Sequence, residues 1–302
     1  MNQNAMNLAA TPEPIIARVM HSANASRSIG ALLMDAGRIT PEAAERILKL
    51  QKDKNLRFGE AAIELGLLTE DDIQQVLSQQ YDYPYLMPGN ECVSEEVVAA
   101  FKPFSPIVEQ LRALRSQLML RWFDADVGHK TLAVVSAGRA EGRSFTAANL
   151  AVVFSQLGER TLLIDADLRN PQQHQFFRLE NKLGLSSLLA GRAELADIVT
   201  RIPGLIDLSV LPAGAIPPNP QELLARPVFN ALMATASGQY DIVIVDTPAG
   251  AETADSQTIA ARTLGAVVVA RKDISFAPAL QAFVTSLQHS GVTVVGAVLN
   301  NG

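Results

Sequence analysis

Thr131-Leu132-Ala133-Val134-Val135 runs into Ser136-Ala137-Gly138-Arg139-Ala140-Glu141-Gly142-Arg143-Ser144, and after a helical segment from Phe145 to Leu157 comes Thr161-Leu162-Leu163-Ile164-Asp165-Ala166-Asp167. This stretch decides the fold. Strand, small-residue loop, helix, and a second strand ending on two acids make one phosphate-binding βαβ unit. A phosphate loop needs small residues so that successive backbone N–H groups can turn inward around an anion. The helix that follows adds positive potential at the same point. Ala137, Gly138, Ala140 and Gly142 supply the small residues; Ser144 lies where a hydroxyl ligates Mg²⁺. Arg143 stands where the strict pattern has Lys, and Ala137 stands for its first glycine, so the loop alone is a weak match.

The acids strengthen the reading. Asp165 and Asp167 close one strand, and Asp246 closes Tyr240-Asp241-Ile242-Val243-Ile244-Val245-Asp246-Thr247-Pro248. All three are expected at the edge where open α/β sheets bind ligands. Carboxylates gathered beside a phosphate cradle need a cation, and Mg²⁺ suits an oxygen-only set. Downstream, strands are expected at Leu205–Leu211, Ala266–Ala270 and Val292–Leu299, and helices at Gln221–Ala236, Asp255–Thr263 and Ala277–Ser290. Apolar runs alternating with helices predict an α/β fold with a parallel sheet covered on both faces.

Upstream, residues 1–25 read as a flexible tail. Residues 26–86 read as a small all-helical tandem-repeat domain, 87–106 as a linker with a short helix at Ser94–Phe101, and 107–302 as the P-loop domain. Gly30 recurs as Gly59, Gly37 as Gly66, Thr40 as Thr69 and Gln51 as Gln80, each pair 29 residues apart. Each copy predicts a short helix ended by glycine and then a longer amphipathic helix capped by threonine.

The totals exclude several classes. Apolar residues form 48% of 302, enough for a sizeable core, and a net charge of −6 disfavours a nucleic-acid polymer as partner. The single cysteine, Cys92, fits a reducing compartment. No signal-peptide core and no stretch near the ~20 apolar residues of a membrane span is present, so a soluble cytoplasmic protein is expected, docked on the membrane only through a partner.

Three resemblances add to this. Arg139 to Leu150, Ile164 to Pro171, Pro217-Pro218-Asn219-Pro220-Gln221-Glu222-Leu223-Leu224 and Tyr240 to Pro248 occur in order. Together they resemble the cytoplasmic tyrosine kinases of bacterial polysaccharide export, relatives of the MinD/ParA-like deviant-Walker ATPases. The resemblance implies ATP and Mg²⁺ as cofactors, with Gly138, Arg139, Ala140, Glu141, Gly142, Arg143, Ser144 and Phe145 around the phosphates and Asn300 on adenine. It implies Ser144, Asp165 and Asp246 at the metal, and Asp165, Asp167 and Arg143 as catalytic, one Asp accepting the tyrosine proton. It also implies an inner-membrane polysaccharide co-polymerase as partner and control of exopolysaccharide chain length.

Glu109, Arg112 and Arg115 are three apart and share a helix face, by spacing alone a solvated charged face. They also match the Glu-x-x-Arg-x-x-Arg element through which the same kinases assemble into rings. Such kinases carry a tyrosine cluster after the last strand, whereas this sequence stops at Asn301-Gly302 with Tyr81, Tyr83, Tyr85 and Tyr240 as its tyrosines. With Arg143, that keeps a second reading open: a kinase-like nucleotide switch that does not phosphorylate tyrosine.

The tandem repeat resembles the N-terminal domain of type II secretion and pilus ATPases, one branch of which binds cyclic di-GMP through tandem motifs opening Arg-Leu-Gly and closing on Gln. Candidate contacts are Gly30, Gln51, Arg57, Gly59 and Gln80; Ser28 replaces the first copy's Arg. The other reading is a pair of helical hairpins serving only for docking.

Overall fold

The computed structural model describes residues 28–35, 37–69, 72–73, 76, 85–86, 89–123, 128–250 and 253–301. The tail 1–25, Gln80, Tyr81 and Tyr83 lie outside them. The chain forms two compact units, 1–83 and 84–302.

In the first unit, α1 (Ile29–Asp35), α2 (Pro41–Lys54) and α3 (Phe58–Glu64) enclose Leu33, Ile47, Ala61 and Ala62. Thr40 caps α2, its hydroxyl accepting from the Ala43 amide at 3.2 Å, and Asn55 closes that helix in the left-handed region. The repeat recurs in geometry. Gly37 and Gly66 turn at φ +65° and +66°, and Thr69 takes the amide of Asp72 as Thr40 takes that of Ala43. The motif glycines Gly30 and Gly59 have packing reasons. A methyl group on Gly30 would stand 3.2 Å from the Phe58 ring, and one on Gly59 2.9 Å from Ile73.

The second unit begins before the P-loop domain's expected start. Residues 89–106, read as a linker, pack on that domain through α4 (Val98–Phe101), shorter than the expected helix, and the turns before it. Val93, Val97, Ala99 and Ala100 are fully buried in the main core. The Ala99 amide donates to Asn149 Oδ1 at 2.9 Å, and the Ser94 amide to the Phe176 carbonyl at 2.7 Å. The proline punctuation hid this because Pro103 and Pro106 break the backbone pattern without exposing the segment.

From α5 (Pro106–Arg121) the chain enters β1 (Thr131–Ser136), α6 (Arg143–Ser155) and β2 (Thr161–Asp165). Then come α7 (Gln173–Phe176), α8 (Leu185–Leu189), α9 (Leu195–Ile198), β3 (Thr200–Arg201) and β4 (Leu208–Leu211). The remainder is α10 (Pro220–Leu224), α11 (Pro227–Gln239), β5 (Ile242–Asp246), α12 (Asp255–Thr263), β6 (Gly265–Arg271), α13 (Ala277–His289) and β7 (Thr293–Asn300). Among the described residues the sheet has seven strands in the order β3-β4-β2-β5-β1-β6-β7, all parallel except β3.

Alternate strand residues feed different cores. Leu132 and Val134 join Leu163 and Ile244 under α5 and α6; Leu162 and Ile164 join Val243 and Val245 against α10 and α11. Ala133 and Val135 lie with Phe283 and Leu287 of α13. Helix α6 is buried at every position from Thr146 to Ser155, since the sheet lies on one side and α4 and α5 on the other. Truncating its wholly buried Phe154 to Ala would cost about 3–5 kcal/mol.

Two expected elements differ. The strand expected from Leu205 pairs only from Leu208, because Gly204 and Asp207 take positive φ values in the turn before it. The helix expected over Gln221–Ala236 is split at Arg226, whose backbone is extended at φ −65° and ψ 149°; Pro227 excludes the helical conformation from the residue before it.

Candidate functional site

The site lies at the carboxyl ends of the central strands, where β1 hands over to α6. Asp165 on β2 and Asp246 on β5 are direct register partners, so the fold brings two expected acids side by side. Loop 137–142 turns through Ala140 at φ +56° and Gly142 at φ +91°. For an alanine this conformation is unfavourable, and the surroundings hold it. Asn300 Nδ2 donates to the Glu141 carbonyl at 3.2 Å, and Arg271 donates to the Ala140 carbonyl at 3.1 Å.

Inside the loop the Glu141 carboxylate accepts the Gly138 amide at 2.8 Å and the Ser275 hydroxyl. An anionic oxygen on a loop amide shows that this backbone presents donors to anions. The Gly138 amide itself is committed to Glu141. That cleft measures about 590 Å³ and runs along Arg139–Phe145, with Asp167, Arg169, Arg271 and Asn300 among its other walls. Its size suits a nucleotide-scale ligand.

Arg143, first residue of α6, is the electrostatic centre. Its guanidinium donates to Ser136 Oγ at 2.7 Å and Asp167 Oδ2 at 3.2 Å, and its Nε lies 3.4 Å from Asp246 Oδ1. The planar fork meets two carboxylates and a hydroxyl from fixed, divergent N–H directions, whereas a Lys ammonium is a compact point charge. Asp246 is wholly buried, and burial pushes its pKa up; Arg143, then the Gln173 amide and Ser144, pull against that shift.

Asp165 is wholly buried. Its Oδ1 accepts the Asp167 amide at 3.2 Å, and its Oδ2 the amides of Gln172 at 3.0 Å and Gln173 at 2.9 Å. Burial first, then the neighbouring charges of Asp246 and Asp167, raise its pKa well above the usual carboxylate range. The three amides occupy most of its acceptor sites, so Asp165 orders the turn after β2. Asp167 is half-committed: Oδ1 takes the amides of Arg169 and Asn170, leaving Oδ2 towards Arg143 and the cleft.

No cluster of three His, Cys, Asp or Glu residues among those described forms a ready cation cage. The donor set nevertheless fits Mg²⁺ shared with phosphate oxygens. Asp246 Oδ1 is buried with no hydrogen-bond partner, and the Ser144 hydroxyl bears on the same carboxylate. One or two carboxylates plus phosphates is the usual Mg²⁺ environment.

The sequence reading missed Gln173. It is wholly buried, and its Nε2 donates to Asp246 Oδ2 at 2.8 Å and to the Ser144 carbonyl at 3.0 Å. No periodicity or motif marks it; only the fold brings it against two other elements. Of the ring-element residues, Glu109 and Arg112 pair on α5 at 2.9 Å, whereas Arg115 turns inward and donates to the Val153 carbonyl at 2.7 Å. The three therefore do not share one outward face. Tyr240 is half-buried against the α10–α11 core. No helix among the described residues is long and apolar enough to cross a membrane.

The chain is similar to several known proteins. A family model described as ATPase MipZ matches residues 132–277. The putative tyrosine-protein kinase EpsB of Ralstonia solanacearum is 39% identical over 200 residues, covering 66% of this chain and 26% of EpsB. The chain thus spans about a quarter of that relative's length. The kinase domain of Escherichia coli tyrosine kinase ETK superposes with a TM-score of 0.65 at 33% identity, covering 68% of this chain and 79% of that one. The putative tyrosine-protein kinase CapB of Staphylococcus aureus is 35% identical over 201 residues, 66% of this chain and 86% of CapB. With 86% of CapB matched at 35% identity, the chain belongs to the bacterial tyrosine-protein kinase family.

Proposed function

We propose that the second unit is an ATP- and Mg²⁺-dependent protein-tyrosine kinase of the EpsG chain-length-determinant type, regulating exopolysaccharide polymerisation and export with an inner-membrane co-polymerase. The observation that carries this is the convergence of Arg143, Asp167 and Asp246 beside the small-residue loop at the start of α6. The loop amides beyond Gly138 and the α6 N-terminus bind the phosphates, with Asn300 and Arg271 on the cleft wall towards the base. Ser144 and Asp246 would hold Mg²⁺, which neutralises charge on the phosphate oxygens when bound. Asp167 Oδ2 accepts the phenolic proton as the tyrosine oxygen attacks the γ-phosphorus and the bond from that phosphorus to the bridging oxygen breaks, releasing ADP, and Arg143 moves its charge from the acids towards the phosphates. Phosphoryl transfer depends chiefly on such positioning and neutralisation.

The protein works at the cytoplasmic side of the inner membrane, as a homo-oligomer in which α5 supplies a subunit contact through Glu109 and Arg112. The first unit is a docking module. Cyclic di-GMP on Gly30, Gln51, Arg57, Gly59 and Gln80 is its alternative role.

A second reading is favoured by Arg143 itself: a guanidinium clamped on both acids suits a nucleotide switch without tyrosine transfer. Incubation of the purified chain with γ-labelled ATP and Mg²⁺ separates the two. Label on Tyr81, Tyr83, Tyr85 or an added tyrosine peptide supports the kinase. Free phosphate alone, or tight binding without either product, supports the switch.

A further inference from the structure

The two oxygens of Asp246 have different surroundings. Oδ2 accepts the Gln173 side-chain amide at 2.8 Å, whereas Oδ1 is buried without a hydrogen-bond partner and has Arg143 Nε at 3.4 Å. The terminal torsion of an aspartate is soft and roughly two-fold, so a carboxylate with neither oxygen anchored can rotate. Anchoring one oxygen fixes which face the other presents.

The Gln173 amide is oriented by two acceptors at once, Asp246 Oδ2 and the Ser144 carbonyl at 3.0 Å. Only a donor satisfies both, so the nitrogen must lie on that side and Oε1 on the other. Oε1 is buried with no partner. An unpaired buried acceptor costs stability, and a protein bears that cost where the remainder of the group is needed. The backbone of the same residue donates to Asp165 Oδ2 at 2.9 Å. One residue therefore ties the turn after β2, which it follows in sequence, to the end of β5 and the first turn of α6, which are distant in sequence.

We infer that Gln173 is a positioning residue for the nucleotide's cation, pinning Asp246 through Oδ2 so that Oδ1 is held ready for Mg²⁺. This rests on the Mg²⁺–nucleotide reading proposed above. Outer partners of a ligating carboxylate set its orientation, and their loss weakens metal binding about 10- to 100-fold. The neutral amide suits the task, because it donates to Asp246 without adding a cation that would repel the metal.

The test uses the full chain and a fluorescent ADP analogue, titrated with Mg²⁺ and separately in EDTA. Gln173→Met keeps the length and removes the donor; Gln173→Asn keeps the amide one methylene short of Asp246. For either variant that melts cooperatively, the expected result is a rise in the Mg²⁺ half-saturation of about tenfold or more, with affinity in EDTA unchanged. An unchanged half-saturation in a folded variant would overturn the inference. So would an equal loss of affinity with and without Mg²⁺, which marks a merely structural side chain. If the wild-type chain bound no nucleotide under either condition, the Mg²⁺–nucleotide reading would fall, and this inference with it.

Discussion

Arg143 and Asp167 form an ion pair of 3.2 Å that is nearly closed to solvent, their side chains being 10% and 4% exposed. The same guanidinium leans on Asp246, so the cation of the phosphate loop holds the acids together. Removing one partner of a buried pair strands a charge, which costs more than the pair gains. Arg143→Ala is expected to lower unfolding stability by about 3–5 kcal/mol, read by urea denaturation. Arg143→Lys is expected to lose less, about 1–2 kcal/mol, and to speed label transfer about tenfold in single-turnover assays, because a compact ammonium leaves the acids more easily. A slower Arg143→Lys would show that the fork is itself the working group.

The two acids of β2 separate by role. Asp167→Asn keeps the shape but cannot accept the phenolic proton, so tyrosine labelling should fall at least about 100-fold while nucleotide still binds. Asp165→Asn cannot serve three amides, and should destabilise the chain by about 1–3 kcal/mol, visible as a lower melting temperature. Equal stabilities for the two variants would contradict this division.

Gly142 leaves no room for a side chain. At φ +91° an added methyl carbon would lie 2.2 Å from Asn300 Nδ2. Gly142→Ala should weaken ATP binding by about tenfold or more, from backbone strain of about 1–3 kcal/mol and displacement of Asn300. Adding Asn300→Ala should recover part of the loss, since neighbouring changes are not additive. Titration of a fluorescent ATP analogue reads both.

Away from the site, Arg160 grips Asp241 through Nη2 at 2.7 Å and Nε at 2.9 Å, and its backbone amide adds a third bond. The Arg160 hydrogen bond is the main cause holding the Asp241 pKa below its usual 3.8. A depressed acid stabilises the fold above its unfolded value and loses that stabilisation as pH falls through the folded value. Asp241→Asn should therefore cost about 1 kcal/mol at pH 7, the pair being partly exposed. The difference from wild type should shrink below pH 3.8.

In the first unit, Gly30 and Gly59 are occupied by helix packing against Phe58 and Ile73. Calorimetric titration with cyclic di-GMP is expected to give no heat at high micromolar ligand. Saturable heat lost in Arg57→Ala would restore the nucleotide role.

The sheet was legible because its strands are continuous apolar runs, and runs such as Leu132–Val135 suit only a strand buried on both faces. The phosphate loop and Asp246 were legible because small residues and acids fall at strand ends, where α/β sheets gather ligands. Local pattern failed where tertiary partners decide. Nothing near Asp165 announces that three amides from 167–173 will claim its oxygens, nothing near Gln173 points to Ser144, and the spacing of Arg115 does not reveal the Val153 carbonyl beneath it. The split at Pro227 was readable from the proline itself and was passed over in favour of the apolar pattern around it.

The packed segment ahead of α5 also fixes where genetic exchange can divide the chain. A crossover at residue 107 would deprive the second unit of Val93, Val97, Ala99 and Ala100, and would leave Asn149 Oδ1 without its donor. A crossover between 83 and 84 severs none of these contacts. Recombination that swapped the front module for another would succeed only when its junction fell upstream of Leu86, so descendants of such an event would inherit residues 89–106 with the second unit.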